Sequence, residues 1–158
     1  MKAIVIVDND WGIARGGEIL FHIREDLQHL RKLTMGGAVV VGRVTLETLP
    51  GQVPLVGRHN FILSTTMPPR NDAIVCGSVE GLLAKAPSDS WVLGGQSVYK
   101  QLLPWCTQAF VTKVNTTCGA DQFFPNLDAM VDWAPMAETP PFHSGRYNYK
   151  FVTYRREA

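Results

Sequence analysis

No apolar stretch in this sequence approaches the ~20 residues that a membrane-spanning helix needs. The N-terminus MKAIVIVDND lacks the length and cleavage pattern of a signal peptide. Charge of neither sign dominates: 15 Lys and Arg stand against 14 Asp and Glu, a net charge of +1. No overall field therefore gathers nucleic acid or a membrane surface, and any anion must be bound by local geometry. Cysteine is scarce. Cys76, Cys106 and Cys118 are odd in number and lack C-x-x-C spacing, which argues against a disulfide framework and for reduced thiols in a cytoplasmic protein. His22, His29, His59 and His143 neither pair at i,i+4 nor cluster with cysteine, so no metal site is expected. Repeats, charge blocks and long linkers are also missing, and a chain of 158 residues is expected to fold as one domain over 1–158. With mixed charge and no evident exposed apolar patch, a monomer is the default.

What is present is an ordinary globular balance, 46% hydrophobic to 18% charged, which excludes general disorder. Short apolar runs at Lys2–Val7, Ala38–Val41, Asn60–Leu63, Ala73–Cys76, Trp91–Leu93 and Ala109–Val114 suit strands buried on both faces. Helical patterns sit among them at Glu25–Leu33, Thr45–Leu49, Val79–Ala86 and Ser97–Leu102. Such alternation predicts an α/β fold with a largely parallel sheet and helices on both faces. The last third differs: Trp133–Glu138 and Tyr147–Arg155 flank the turn-rich TPPFHSGR and read as an antiparallel end to a mixed sheet.

One carboxylate breaks the pattern. Ile23, Leu27, Leu30 and Leu33 mark an apolar helix face, and Asp26 projects between Leu30 and Leu33, inside it. Its neighbour Glu25 points away and can stay in water. A charge turned toward a core costs several kcal/mol unless it is partnered, protonated or useful. The plain reading of Asp26 is a first-turn carboxylate favoured by the helix dipole; the other is a functional acid.

Two strand–glycine–helix junctions follow neighbouring strands. AVVVGRVTLETL places Gly42 and Arg43 at one, and WVLGGQSVYKQLLP places Gly94 and Gly95 at the other. Glycine lets the backbone approach a ligand, and the free amides of such junctions suit phosphate. The pair could cradle the two ends of one dinucleotide, with Arg43, Ser64 and Thr65 beside a phosphate monoester. Tight turns are the plain reading of the same glycines. The Rossmann pattern G-x-G-x-x-G is absent.

Taken together and in order, these features resemble dihydrofolate reductase. The resemblance rests on W-G-I after the first strand, E-D-L at the first helix, V-G-R-x-T-x-E and P-L-x-x-R. It continues through L-G-G-x-x-V-Y-x-x-L-L-P, D-x-F-F-P and the closing Y-x-F-x-x-Y, covering Met1 to about Arg155. It implies an eight-stranded mixed sheet with an antiparallel C-terminal strand, NADPH as hydride donor and dihydrofolate as acceptor. Asp26 then falls on the one ionisable group of the pterin pocket, supported by Thr112. Arg58 clamps the glutamate tail, Leu27, Leu30, Leu49 and Leu55 form apolar walls, and the backbone of Val5 and Leu93 faces the pterin edge. On the cofactor side, Arg43, Ser64 and Thr65 meet the 2′-phosphate, Leu63 also contacts the cofactor, and Gly42, Val44 and Thr45 line one phosphate. Gly95, Gln96, Ser97, Val98 and Tyr99 line the other, with Gly94-Gly95 joined by a cis bond. Ile6, Ile13 and Ala14 hold the nicotinamide. Phe21, Arg24, Ala14 and Ser97 depart from residues common in the family, at positions bearing on loop motion and rate. Two alternatives use the same fold: a pyrimidine reductase of riboflavin synthesis, and an NADPH-binding module without catalysis. Asp26 and Arg58 together argue against both.

Overall fold

The computed structural model describes residues 1–157. Strands β1 (Lys2–Val7), β2 (Gly12–Arg15) and β3 (Glu18–Ile19) precede helix α1 (Arg24–Thr34). Strand β4 (Ala38–Gly42) leads directly into α2 (Arg43–Thr48), followed by β5 (His59–Leu63), β6 (Ile74–Cys76) and α3 (Val79–Lys85). Next come β7 (Trp91–Gly94), α4 (Gln96–Leu102), β8 (Gln108–Val114) and β9 (Gln122–Phe123), then β10 (Trp133–Glu138), β11 (Phe142–Ser144) and β12 (Tyr147–Arg156).

The main sheet runs β10-β12-β8-β1-β7-β4-β5-β6, with β11 added on β12. From β8 to β6 every pairing is parallel, while β12 meets β8 and β10 antiparallel. The continuous apolar runs occupy the parallel part because helices cover both its faces. Alternation along the strands shows this. Val5, Val7, Val40, Phe61 and Leu63 pack with Leu82 of α3 and Leu102 of α4. Ile4 and Val39 pack with Leu30 and Leu33 of α1, and Val41 and Ile62 with Leu46 of α2.

Three corrections to the sequence reading concern local structure. The segment TPPFHSGR is not all turn, since β11 pairs with β12 through Phe142↔Tyr149 and Ser144↔Tyr147. Helices α2 and α4 begin at Arg43 and Gln96, at the glycines rather than two residues or one residue beyond them. Leu27 is not part of a packed stripe: it is 54% exposed. Helix α1 meets the sheet through Leu30 and Leu33, leaving Leu27 at the rim of the face.

A second, small sheet, ordered β3-β2-β9, stands apart from the first. Gly16 and Gly17, with φ of +59° and +81°, form the two-residue loop of its β2–β3 hairpin, a turn that requires left-handed backbone at both positions. The root of this sheet is tied down by Asp8, only 3% exposed. Its Oδ1 accepts from the amides of Asp10 (2.9 Å) and Gly12 (2.7 Å), and its Oδ2 from that of Cys118 (3.0 Å). One carboxylate thus fastens the end of β1, the start of β2 and the segment between β8 and β9. Asp8→Ala strands those amides and is expected to cost about 2–4 kcal/mol of stability. Urea unfolding checks this, and a loss under about 1 kcal/mol would contradict the role assigned to Asp8.

Candidate active site

The two glycine junctions lie at the ends of the adjacent strands β4 and β7. Their closeness demands glycine. A Cβ on Gly42 would sit 2.8 Å from Val98 Cγ2, and one on Gly94, whose φ is +121°, would meet the Tyr99 ring at 3.1 Å. The Gly94-Gly95 peptide bond is cis. Between these junctions and the small sheet lies a cleft of about 560 Å³. Every residue expected at the cofactor lines it except Gly94, which faces Tyr99 and Thr45 instead. Val5 and Leu93, expected at the substrate, also line it. Nothing in the sequence analysis singled out Gly17, Ile19, Thr48, Thr66, Gly77, Ser78, Gln101 or Gln122, which complete the wall. Half of them, Gly17, Thr66, Gly77 and Ser78, are small or hydroxyl residues in turns and bends, where no periodic pattern points to them.

The small sheet closes one side of this cleft. Its hairpin loop is held by Asp121, whose Oδ2 accepts from the Gly16 amide at 2.9 Å. Gln96, the first residue of α4, accepts from the Phe123 amide of β9 through its Oε1 at 2.6 Å. The lid is therefore fastened to the second glycine junction by a side chain that itself lines the cleft.

Asp26 stands in the first turn of α1, which no side chain caps. Its Oδ1 accepts from Thr112 Oγ1 at 2.6 Å. Thr112 is buried in β8, in register with Ile6 on one side and Phe151 on the other, so the carboxylate is pinned to the middle of the sheet. Burial pushes Asp26 up to about 6, against a smaller opposing effect of the Thr112 hydrogen bond. A carboxyl poised there changes charge close to neutral pH. Glu25, by contrast, is exposed and accepts from Ser144 Oγ at 3.0 Å.

Two main-chain carbonyls converge nearby. The Tyr99 hydroxyl lies 2.6 Å from Ile4 O and 2.8 Å from Leu93 O, donating its single proton between them. Burial, and then the nearby Asp26 carboxylate, hold that phenol far above its ordinary range. Sequence reasoning named Leu93 but missed Ile4, because a backbone acceptor leaves no mark in residue type. Leu30, Leu55 and Leu93 pack in one cluster, and Leu49 joins Leu93 in the next. Leu30, Leu49 and Leu55 therefore form a wall joined to the cleft through Leu93, without lining it themselves. Arg58 lies beyond them. Its Nη1 donates to Thr34 Oγ1 at 3.2 Å and its Nε to Val56 O at 3.0 Å. Burial, and then Arg31, lower its pKa.

The dihydrofolate reductase family profile matches residues 1–156. The chain belongs to the dihydrofolate reductase family. The dihydrofolate reductase of Mycobacterium tuberculosis is 36% identical over 149 residues, covering 91% of this chain and 90% of its own. That of Neisseria meningitidis is 32% identical over 152 residues, covering 91% and 90%. The solved dihydrofolate reductase of Enterococcus faecalis, complexed with NADP(H) and RAB-propyl, superposes with a TM-score of 0.86 at 29% identity. It covers 99% of this chain and 96% of that one. Dihydrofolate reductases are thus similar to this chain along almost its whole length. No helix among the described residues is long and apolar enough to cross a membrane, and no His/Cys/Asp/Glu group among them is arranged to hold a metal ion.

Proposed function

We propose that this protein is an NADPH-dependent dihydrofolate reductase, converting 7,8-dihydrofolate to tetrahydrofolate. One observation carries the reading: a partly buried carboxylate, Asp26, fixed by Thr112 beside a cleft walled by two glycine junctions. The cleft fits the cofactor because its glycines admit a close backbone, three hydroxyls follow one another at Ser64, Thr65 and Thr66, and among the described residues one cation, Arg43, lines it. Arg43, Ser64 and Thr65 would hold the 2′-phosphate. Gly42, Val44 and Thr45, with Gly95 to Tyr99, would line the remaining phosphates, and Ile6, Ile13 and Ala14 the nicotinamide.

When bound, NADPH supplies a hydride for carbon six of the pterin. The protein contributes alignment and electrostatics. Asp26 accepts from the pterin amide and amino group through its two oxygens, which fixes the ring face. The carbonyls of Ile4 and Leu93 mark the ring edge, while Leu27, Leu30, Leu49 and Leu55 wall the pterin and benzoyl rings. Arg58 clamps the α-carboxylate of the tail. Nitrogen five takes its proton from a water admitted as the lid moves, and Asp26 orients and polarises the ring without handing over that proton. We place this single-domain enzyme in the cytoplasm as a monomer with small-molecule partners.

The test is loss of NADPH absorbance on adding dihydrofolate, abolished by an antifolate. Turnover of a riboflavin-pathway pyrimidine instead, or cofactor binding with no turnover, would replace this reading with one of its rivals.

A further inference from the structure

Glu47 closes the V-G-R-x-T-x-E motif yet takes no part in the chemistry above. It stands one helical turn after Arg43, and its Oε1 accepts from Arg43 Nη1 at 2.8 Å. Arg43 is the one charged side chain lining the cleft among the described residues; Ser64, Thr65, Thr66 and Ser78 offer only hydroxyls. The second junction supplies no substitute cation, and the Ser97 hydroxyl there already accepts from the Gln101 amide at 3.0 Å. The capacity of this cleft to tell a phosphate monoester from a hydroxyl by charge thus rests on one guanidinium, already faced by a carboxylate of its own helix.

Resting on the reading of Arg43 as the 2′-phosphate site, we propose that Glu47 is a specificity-determining residue that restrains the preference for NADPH over NADH. A dianionic phosphate approaching Arg43 meets the Glu47 charge across the guanidinium. The uncharged 2′-hydroxyl of NADH is indifferent to it. Both side chains are half exposed, 49% each, so water and salt mute the repulsion and the effect is several-fold rather than thousands.

Glu47→Gln leaves an oxygen to accept from Arg43 and removes only the charge. Titration calorimetry with adenosine 2′,5′-bisphosphate should show binding tightened about three- to ten-fold at low ionic strength, a gain that shrinks as salt is added. Binding of adenosine 5′-monophosphate should not change, and the kcat/KM ratio of NADPH to NADH should rise by the same factor. Unchanged or weakened binding of the bisphosphate overturns the proposal, the weakened case making Glu47 a guide that orients Arg43. Arg43→Gln tests the underlying reading and should erase the difference between the two nucleotides. If that difference survives, the phosphate is held elsewhere and the reading of Arg43 falls. If it is erased while Glu47→Gln has no effect, only the role of Glu47 falls.

Discussion

Asp26→Asn is expected to slow hydride transfer to dihydrofolate by orders of magnitude near neutral pH while leaving the folded protein more stable. The two effects share one cause. Burial raises the Asp26 carboxyl from 3.8 to about 6, so above pH ~6 the folded protein holds a charge that its surroundings disfavour. The folded state binds more protons than the unfolded chain between these values, so stability falls as pH rises from about 4 to 6 and is flat beyond. The full shift corresponds to roughly 3 kcal/mol, and partial exposure reduces the expected gain in the amide variant to ~1–2 kcal/mol. Thermal melts should therefore separate variant from wild type by several degrees at pH 7 and converge toward pH 4. The amide keeps an oxygen for Thr112 but cannot carry the charge that polarises the pterin. In the wild type, kcat/KM for dihydrofolate should titrate near pH 6, and the variant should lack that inflection. Near-normal turnover by Asp26→Asn would remove Asp26 from the mechanism.

Arg58→Gln should raise the KM for dihydrofolate about a hundredfold and leave kcat nearly unchanged. A guanidinium gripping the tail carboxylate binds ground state and transition state alike, far from the reacting atoms, and a charge-assisted bidentate contact is worth ~2–3 kcal/mol. Thr34 Oγ1 and Val56 O hold the side chain before substrate arrives, so little ordering remains to be done on binding. A dihydropterin without the glutamate tail supplies the control: steady-state kinetics with it should be the same for both proteins. An equal loss on both substrates would mean that Arg58 acts through the fold.

Much of the architecture was legible because it rests on burial. The strands Ala38–Gly42, Ile74–Cys76 and Trp91–Gly94 carry no polar side chain, and Lys2–Val7 none after its first residue, the pattern of a sheet covered on both faces. Asp26 was legible for the opposite reason, as a charge where the helix face is apolar. The lid was not read as a sheet, because strands of two to four residues such as Glu18–Ile19 are too short to show a period, although Gly16-Gly17 carried the hairpin signal. Asp8 was invisible because its partners are backbone amides, two close behind it in the chain at Asp10 and Gly12 and one at Cys118. The exposure of Leu27 depends on which neighbours cover α1, and helical spacing alone does not state it. The Arg43–Glu47 pair could have been found, since i,i+4 spacing of opposite charges was in plain view.

The convergence of Ile4 O and Leu93 O on the Tyr99 hydroxyl bears on how this enzyme can vary. A contact made by main-chain carbonyls survives any substitution at its own position that preserves the strand, since every residue type presents the same oxygen. On the proposed reading, heritable change in recognition of the ring edge is thereby confined to Tyr99, whose hydroxyl bonds both carbonyls, and to the leucine walls around it. Leu27 and Leu49 carry side chains that can be resized without disturbing the strand backbone. An inhibitor that draws its affinity from the two carbonyls thus rests on the least mutable part of the cleft, and one that draws it from the leucines rests on the most mutable.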